Sequence, residues 1–158
     1  MLKILNKIFL FLVNITWCLP QNLLGAIIWL YLKISNNFIK KVTYKIEDKS
    51  KSVSTIIWSH SSGCMSLGKF IFLSKIFLED DYKDEAPDYL SHEYGHTIQS
   101  YILGPLYLLI IGLPSILWCA WISNWKCNQD KSYYWFYSEK WATYLGLKYL
   151  NPLLLEEA

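Results

Sequence analysis

The chain contains no arginine. All fifteen basic residues among its 158 are lysines, and the formal net charge is only +2. Without guanidinium forks there is no bidentate reader of guanine or phosphate, so a nucleic-acid partner is not expected. The four cysteines (Cys18, Cys64, Cys119 and Cys127) form no C-x-x-C pair. They read as reduced thiols, which puts the protein or its soluble face in the cytosol. There is no glycine-rich phosphate loop, nucleophile elbow, internal repeat or low-complexity linker. Nucleotide-binding, serine-hydrolase and repeat-scaffold readings are set aside accordingly. Histidine is scarce too, with three in the chain.

Apolar side chains are abundant. They make up 53% of the sequence, and aromatic residues 17%, with eight tryptophans and twelve tyrosines. That is high for a soluble domain and suits rings at a lipid–water interface. At 158 residues the chain forms one domain. Two long stretches, 8–32 and 97–125, carry no formal charge. Pro20 interrupts the first, so two short helices near 3–19 and 21–35 are expected, lying in an interface or forming a shallow hairpin. A signal peptide is the competing reading, but no small-x-small cleavage site follows at a suitable distance. The second stretch has breaks at Gly104-Pro105 and Gly112-Leu113-Pro114. An ordinary buried core is the alternative for both stretches, at the expense of polar surface.

Two of the three histidines stand in His92-Glu93-Tyr94-Gly95-His96. On a helix, positions four apart point the same way, so two neutral imidazoles can hold one zinc ion. Glu93 lies beside them, where it can take a proton from a zinc-bound water. Further on comes Glu139-Lys140-Trp141-Ala142-Thr143. Together these two motifs resemble the gluzincins, zinc peptidases with His-Glu-x-x-His and a glutamate on a later helix. The likeness is distant and lies toward the membrane-embedded CaaX-protease and HtpX-like branch, over roughly residues 53–145. It implies that His92, His96 and Glu139 bind Zn2+ and that Glu93 is the catalytic base. Thr143 stands where the family has an aspartate that orients a zinc-binding histidine. A hydroxyl there carries no charge, and losing such a partner typically costs about 10–100-fold in affinity or activity.

The zinc pattern also constrains topology. His96 precedes the second uncharged stretch and Glu139 follows it. If both hold one ion, that stretch returns to the side it left, which excludes a single crossing. The expected architecture is α+β and zincin-like. A small, mainly antiparallel sheet of about three strands (42–47, 53–58 and 66–73) precedes a metal helix over 87–103. An apolar hairpin over 104–125 and a second metal helix within 133–150 follow, and residues 1–35 form an apolar anchor.

In gluzincins the strand before the metal helix is an exposed edge on which extended substrate pairs. Gly63, Met65, Leu67, Gly68 and Phe70 are the residues that this likeness assigns to peptide binding; a buried core strand is the alternative. The six acids between 79 and 88 read as a solvated loop feeding a helix start, or as a rim that attracts basic peptides. Tyr133, Tyr134 and Tyr137 read as packing or as a donor to a substrate oxyanion, and His60 as a loop residue. The lysine-rich stretch 33–51 favours a cytoplasmic face on the cytoplasmic membrane. The expected function is zinc-dependent hydrolysis of peptides near lipid. The alternative is a weakly active or inactive zinc-binding membrane adaptor.

Overall fold

The structure, a computed structural model, describes residues 2–46, 52–59, 63–121, 128, 130–152 and 155–157. His60 lies outside the described residues. Helices α1 (Leu2–Ile15) and α2 (Leu19–Ile34) lead into strands β1 (Phe38–Ile46), β2 (Ser52–Trp58), β3 (Met65–Leu67) and β4 (Phe70–Ser74). Next come α3 (Ala86–Leu103), a 3-10 turn (Gly104–Leu106), a π-helical turn (Leu108–Gly112) and α4 (Leu113–Ala120). Helix α5 (Tyr137–Tyr149) and strand β5 (Leu155–Glu157) close the chain. The α+β class is as expected.

The strand order is β3-β4-β2-β1-β5, with β2 and β4 parallel and the other three pairs antiparallel. The single strand expected over 66–73 is two strands. Gly68, at φ 59°, turns the chain so that Leu67 pairs with Phe70. The Asn22 side-chain oxygen accepts from the Lys69 backbone N–H at 2.8 Å and holds that turn. The sheet is therefore mixed, because the hairpin brings β4 back alongside β2 in the same direction. The short segment β5 was not expected.

Alternation along the strands makes two apolar faces. Val42, Tyr44, Val53, Ile57, Ile71 and Leu73 lie on one, with Leu90 of α3. Ile56 and Phe72 lie on the other, packed with Leu32, Ile28 and Trp29 of α2. Each such side chain, fully buried, contributes about 1.5–3 kcal/mol. Phe70 belongs to this second face, and its ring fits against α2 where Gly25 lacks a Cβ.

Among the described residues no single helix is long and apolar enough to cross a membrane. The first uncharged stretch bends by 81°, and the second, over Leu108–Ala120, bends by 117° against the helical segment that contains α3. The first break falls at 16–18 rather than at Pro20, which sits in the first turn of α2 where its missing N–H costs nothing. The elbow is fastened to the end of α3. Trp17 Nε1 donates to the Tyr101 carbonyl (3.1 Å) and Gln21 Nε2 to that of Gly104 (3.0 Å). Carbonyls at the end of a helix otherwise lack partners.

Candidate metal centre

Helix α3 has Pro87 and Asp88 in its first turn, where a missing N–H and a negative charge are both favourable. It ends at Gly104, whose φ of 54° suits a residue without a side chain. His92, Glu93 and His96 lie in its middle and are buried. Two glycines let α5 approach it. A Cβ on Gly95 would sit 2.6 Å from the Ala142 carbonyl carbon, and one on Gly146 2.7 Å from that of Ser91. Backbone-to-backbone contact of this kind brings Glu139, in the first turn of α5, across to the two histidines.

Glu139 Oε2 lies 3.2 Å from His92 Nε2 and 3.4 Å from His96 Nε2, and all three side chains are buried. The remaining atoms of the three residues are committed elsewhere. Thr143 Oγ1 donates to the Glu139 backbone carbonyl (3.0 Å) and so accepts from His92 Nδ1 (3.0 Å). Gln99 Nε2 donates to the Ser138 carbonyl (2.9 Å), which turns Gln99 Oε1 to accept from His96 Nδ1 (2.8 Å). Glu139 Oε1 accepts from Ser138 Oγ (3.0 Å), which accepts in turn from Ser115 Oγ (2.9 Å) on α4. With both Nδ1 atoms donating, both Nε2 lone pairs and a carboxylate oxygen face one another. Such a trio repels itself unless a cation stands between, and these ligand atoms lie within 4.8 Å of one another. The buried His-His-Glu group can hold a metal ion.

Without a metal, a proton takes that role. Burial alone would lower His96, but the hydrogen bond to Glu139 and the charges of Glu93 and Glu139 hold it above the usual histidine range. Burial alone would raise Glu139, but hydrogen bonds from His92 and His96 hold its carboxyl below the usual carboxylate range. Burial raises Glu93, and the attraction of His96 and His92 only partly offsets it. Glu93 Oε2 is buried with no hydrogen-bond partner in the protein.

The structure brings together His92, Glu93, His96, Glu139 and Thr143 from the sequence reading. It spreads the five proposed peptide-binding residues. Met65 and Leu67 lie on the edge strand β3, Gly63 precedes it, Gly68 forms the turn, and Phe70 belongs to the inner strand β4. The middle of β3 is covered, since Ser66 Oγ bonds Thr97 Oγ1 (3.1 Å) and the Ser66 carbonyl accepts from the Tyr107 hydroxyl (3.3 Å). Of the aromatic cluster, Tyr134 stands edge-on to His92 with ring centroids 5.1 Å apart. Burial and the nearby Glu139 charge raise the Tyr133 hydroxyl, and Tyr137 donates to the Ile110 carbonyl. Gln99, Ser138 and Ser115 were missed from sequence. Gln99 had a usable signal, because it lies three positions after His96 on the same helix. Compared with known protein families, curated proteins and solved structures, the chain matches none.

Proposed function

We propose that the chain is a zinc-dependent endopeptidase of gluzincin type, working beside a membrane on extended peptides. The observation that carries this is the convergence of three buried acceptor atoms, from His92, His96 and Glu139, whose protons are tied up elsewhere. Nitrogen and oxygen donors in this number leave one position of a tetrahedral zinc site open. Zn2+ held there would supply a Lewis acid that polarises the scissile carbonyl and acidifies water. Glu93 takes a proton from the attacking water and returns it to the leaving amine. Burial favours that role, since it raises the carboxyl above the usual carboxylate range and makes it a better proton acceptor. Because the middle of β3 is covered, a peptide reaches the site along residues 63–65, with main-chain pairing supplying affinity.

The membrane side of the proposal rests on exposed apolar surface. Phe9, Phe11, Leu23 and Leu30 of the first bent pair are more than half exposed, as are Leu109, Leu113 and Ile116 of the second. The elbow contacts of Trp17 and Gln21 join the two pairs at the end of α3. Exposed apolar side chains in such number suit an interface, and bent uncharged helices fit an interfacial rather than a spanning placement. The lysines of 33–51 favour a cytoplasmic face.

Zinc per chain in detergent-purified protein tests the site, with Glu139→Ala beside the wild type. About one zinc in the wild type and markedly less in the variant are expected. Glu93→Gln should keep the zinc and abolish cleavage of an unfolded protein. A second reading, a zinc-binding membrane adaptor with little or no turnover, is favoured by Thr143, which gives His92 a neutral partner. In that case Glu93→Gln leaves the phenotype unchanged.

A further inference from the structure

A cavity of about 210 Å³ lies between the start of β3, the 3-10 turn after β4 and the first turn of α3. It is smaller than the 300–1,000 Å³ or so of a pocket for a drug-sized ligand, and suits one side chain. Ile76, Phe77, Tyr82 and Tyr89 form its apolar wall, with Cys64 and Glu85 among the polar lining. Phe77 is buried and its ring centroid lies 4.8 Å from that of Tyr89. The cavity adjoins the metal centre. Tyr89 lies near enough to Tyr134 for the two hydroxyls to interact electrostatically, and the Tyr134 ring stands against His92. Cys64 is close enough to Glu93 for the carboxylate charge, after burial, to raise its thiol.

We propose that this cavity binds a basic side chain, lysine or arginine, of the peptide substrate, with its stem along Phe77 and Tyr89 and its cation at Glu85. The proposal rests on the peptidase reading and names the substrate class for it. The wall chemistry matches a long amphipathic side chain, which buries its methylenes on apolar surface and keeps its charge at the polar rim. Aromatic faces add attraction for a cation. Glu85 lines the cavity and belongs to a segment, 79–88, that carries six carboxylates against Lys83 alone. Glu85 is exposed, so a cation there remains partly hydrated. An acidic side chain would meet the same field with the opposite sign. The cavity also opens beside residues 63–65, along which a peptide would enter.

The test is peptide binding to zinc-loaded Glu93→Gln protein, read by fluorescence anisotropy. The probes are alanine–glycine peptides with a single lysine, norleucine or glutamate. Lysine should bind about 2–5-fold tighter than norleucine, with glutamate weakest. Adding Glu85→Gln should bring lysine level with norleucine, and Glu85→Lys should place glutamate ahead of lysine. Both changes fall on an exposed side chain and leave the fold in place. Equal binding of all three peptides, no binding of any, or a lysine preference that Glu85→Lys leaves intact would overturn the proposal. Cleavage of the same peptides by wild-type protein separates the two readings. Cleavage without lysine preference refutes the cavity and keeps the peptidase. Lysine-selective binding without cleavage refutes the peptidase and keeps the cavity.

Discussion

Gly95→Ala is the substitution that most directly links helix packing to metal binding. On an exposed helix it would stabilise, since alanine is better than glycine there by about 1 kcal/mol. Here the new Cβ would lie 2.6 Å from the Ala142 carbonyl carbon and 3.0 Å from its Cα. Carbon atoms approach to about 3.5–4.0 Å, so α3 and α5 must separate by roughly 1 Å. Overpacking typically costs about 1–3 kcal/mol, and a clash with backbone atoms belongs at the upper end, so net of propensity up to about 2 kcal/mol is lost. For a chain of this size that lowers Tm by up to roughly 4–8 °C. The greater effect falls on the metal. Ligand distances tolerate only about 0.2 Å, and Glu139 rides on the helix that moves. Zinc affinity, measured by competition with a chromogenic chelator, should fall by at least about 10-fold. Gly112→Ala is the control, because its Cβ would meet nothing nearer than 3.7 Å; it should leave zinc affinity unchanged. Wild-type affinity and Tm in Gly95→Ala would refute the contact between the two helices as the device that positions Glu139.

Thr143→Asp should tighten zinc binding by about 10-fold, since a carboxylate in place of the hydroxyl 3.0 Å from His92 Nδ1 makes a stronger acceptor; the same chelator competition reads it. Asn22→Ala removes the bonds to the Lys69 N–H and to the Asn14 carbonyl and side-chain oxygens, and should cost about 1–3 kcal/mol in urea unfolding, with faster amide exchange at Lys69. Alkaline conditions should destabilise the fold. Burial, with the Glu93 charge adding, pushes the Cys64 thiol up to about 12 from an unfolded value of 9.0. Between those values the unfolded chain has lost a proton that the folded chain keeps, so stability falls as pH rises. Urea unfolding at pH 8 and pH 10.5 should show that loss, and Cys64→Ala should reduce its slope by at most about 1.4 kcal/mol per pH unit.

The candidate metal centre was legible in two ways. His92 and His96 lie one helical turn apart, a spacing that metal binding requires, whereas Glu139 and Thr143 were pointed to by the resemblance to gluzincins. Glu139 lies in the first turn of a second helix, and Thr143 contacts His92. The partners on the far side were not legible. Ser115 reaches Glu139 only through Ser138, and no sequence spacing links isolated serines on separate helices. The β3–β4 hairpin was hidden because Gly68-Lys69 interrupts an otherwise apolar run by only two residues, so the run reads as one strand. Strand β5 is three residues with two glutamates, too short to show a period. The break in the first apolar segment was placed at Pro20, but proline is welcome in a first turn, so it marks a start rather than an end.

The second apolar stretch is an excursion that begins and ends at the metal centre. It leaves after His96 and returns before Glu139, and these two meet at 3.4 Å. Along its length it is tied back to the same centre. Tyr107 bonds the carbonyl of Ser66 beside the metal helix, and the Ile110 carbonyl accepts from Tyr137 two residues before Glu139. Ser115 bonds Ser138, and Trp118 Nε1 donates to the carbonyl of Tyr133 (2.9 Å). Each inward group on this stretch has an outward apolar neighbour, such as Leu109, Ile110, Ile116 and Leu117. Whatever surface those outward side chains rest on therefore meets a segment fixed at four points to residues around the candidate metal centre. The exposed face and the metal centre share one frame, so the chain cannot seat that face on a surface without also fixing the orientation of the site above it.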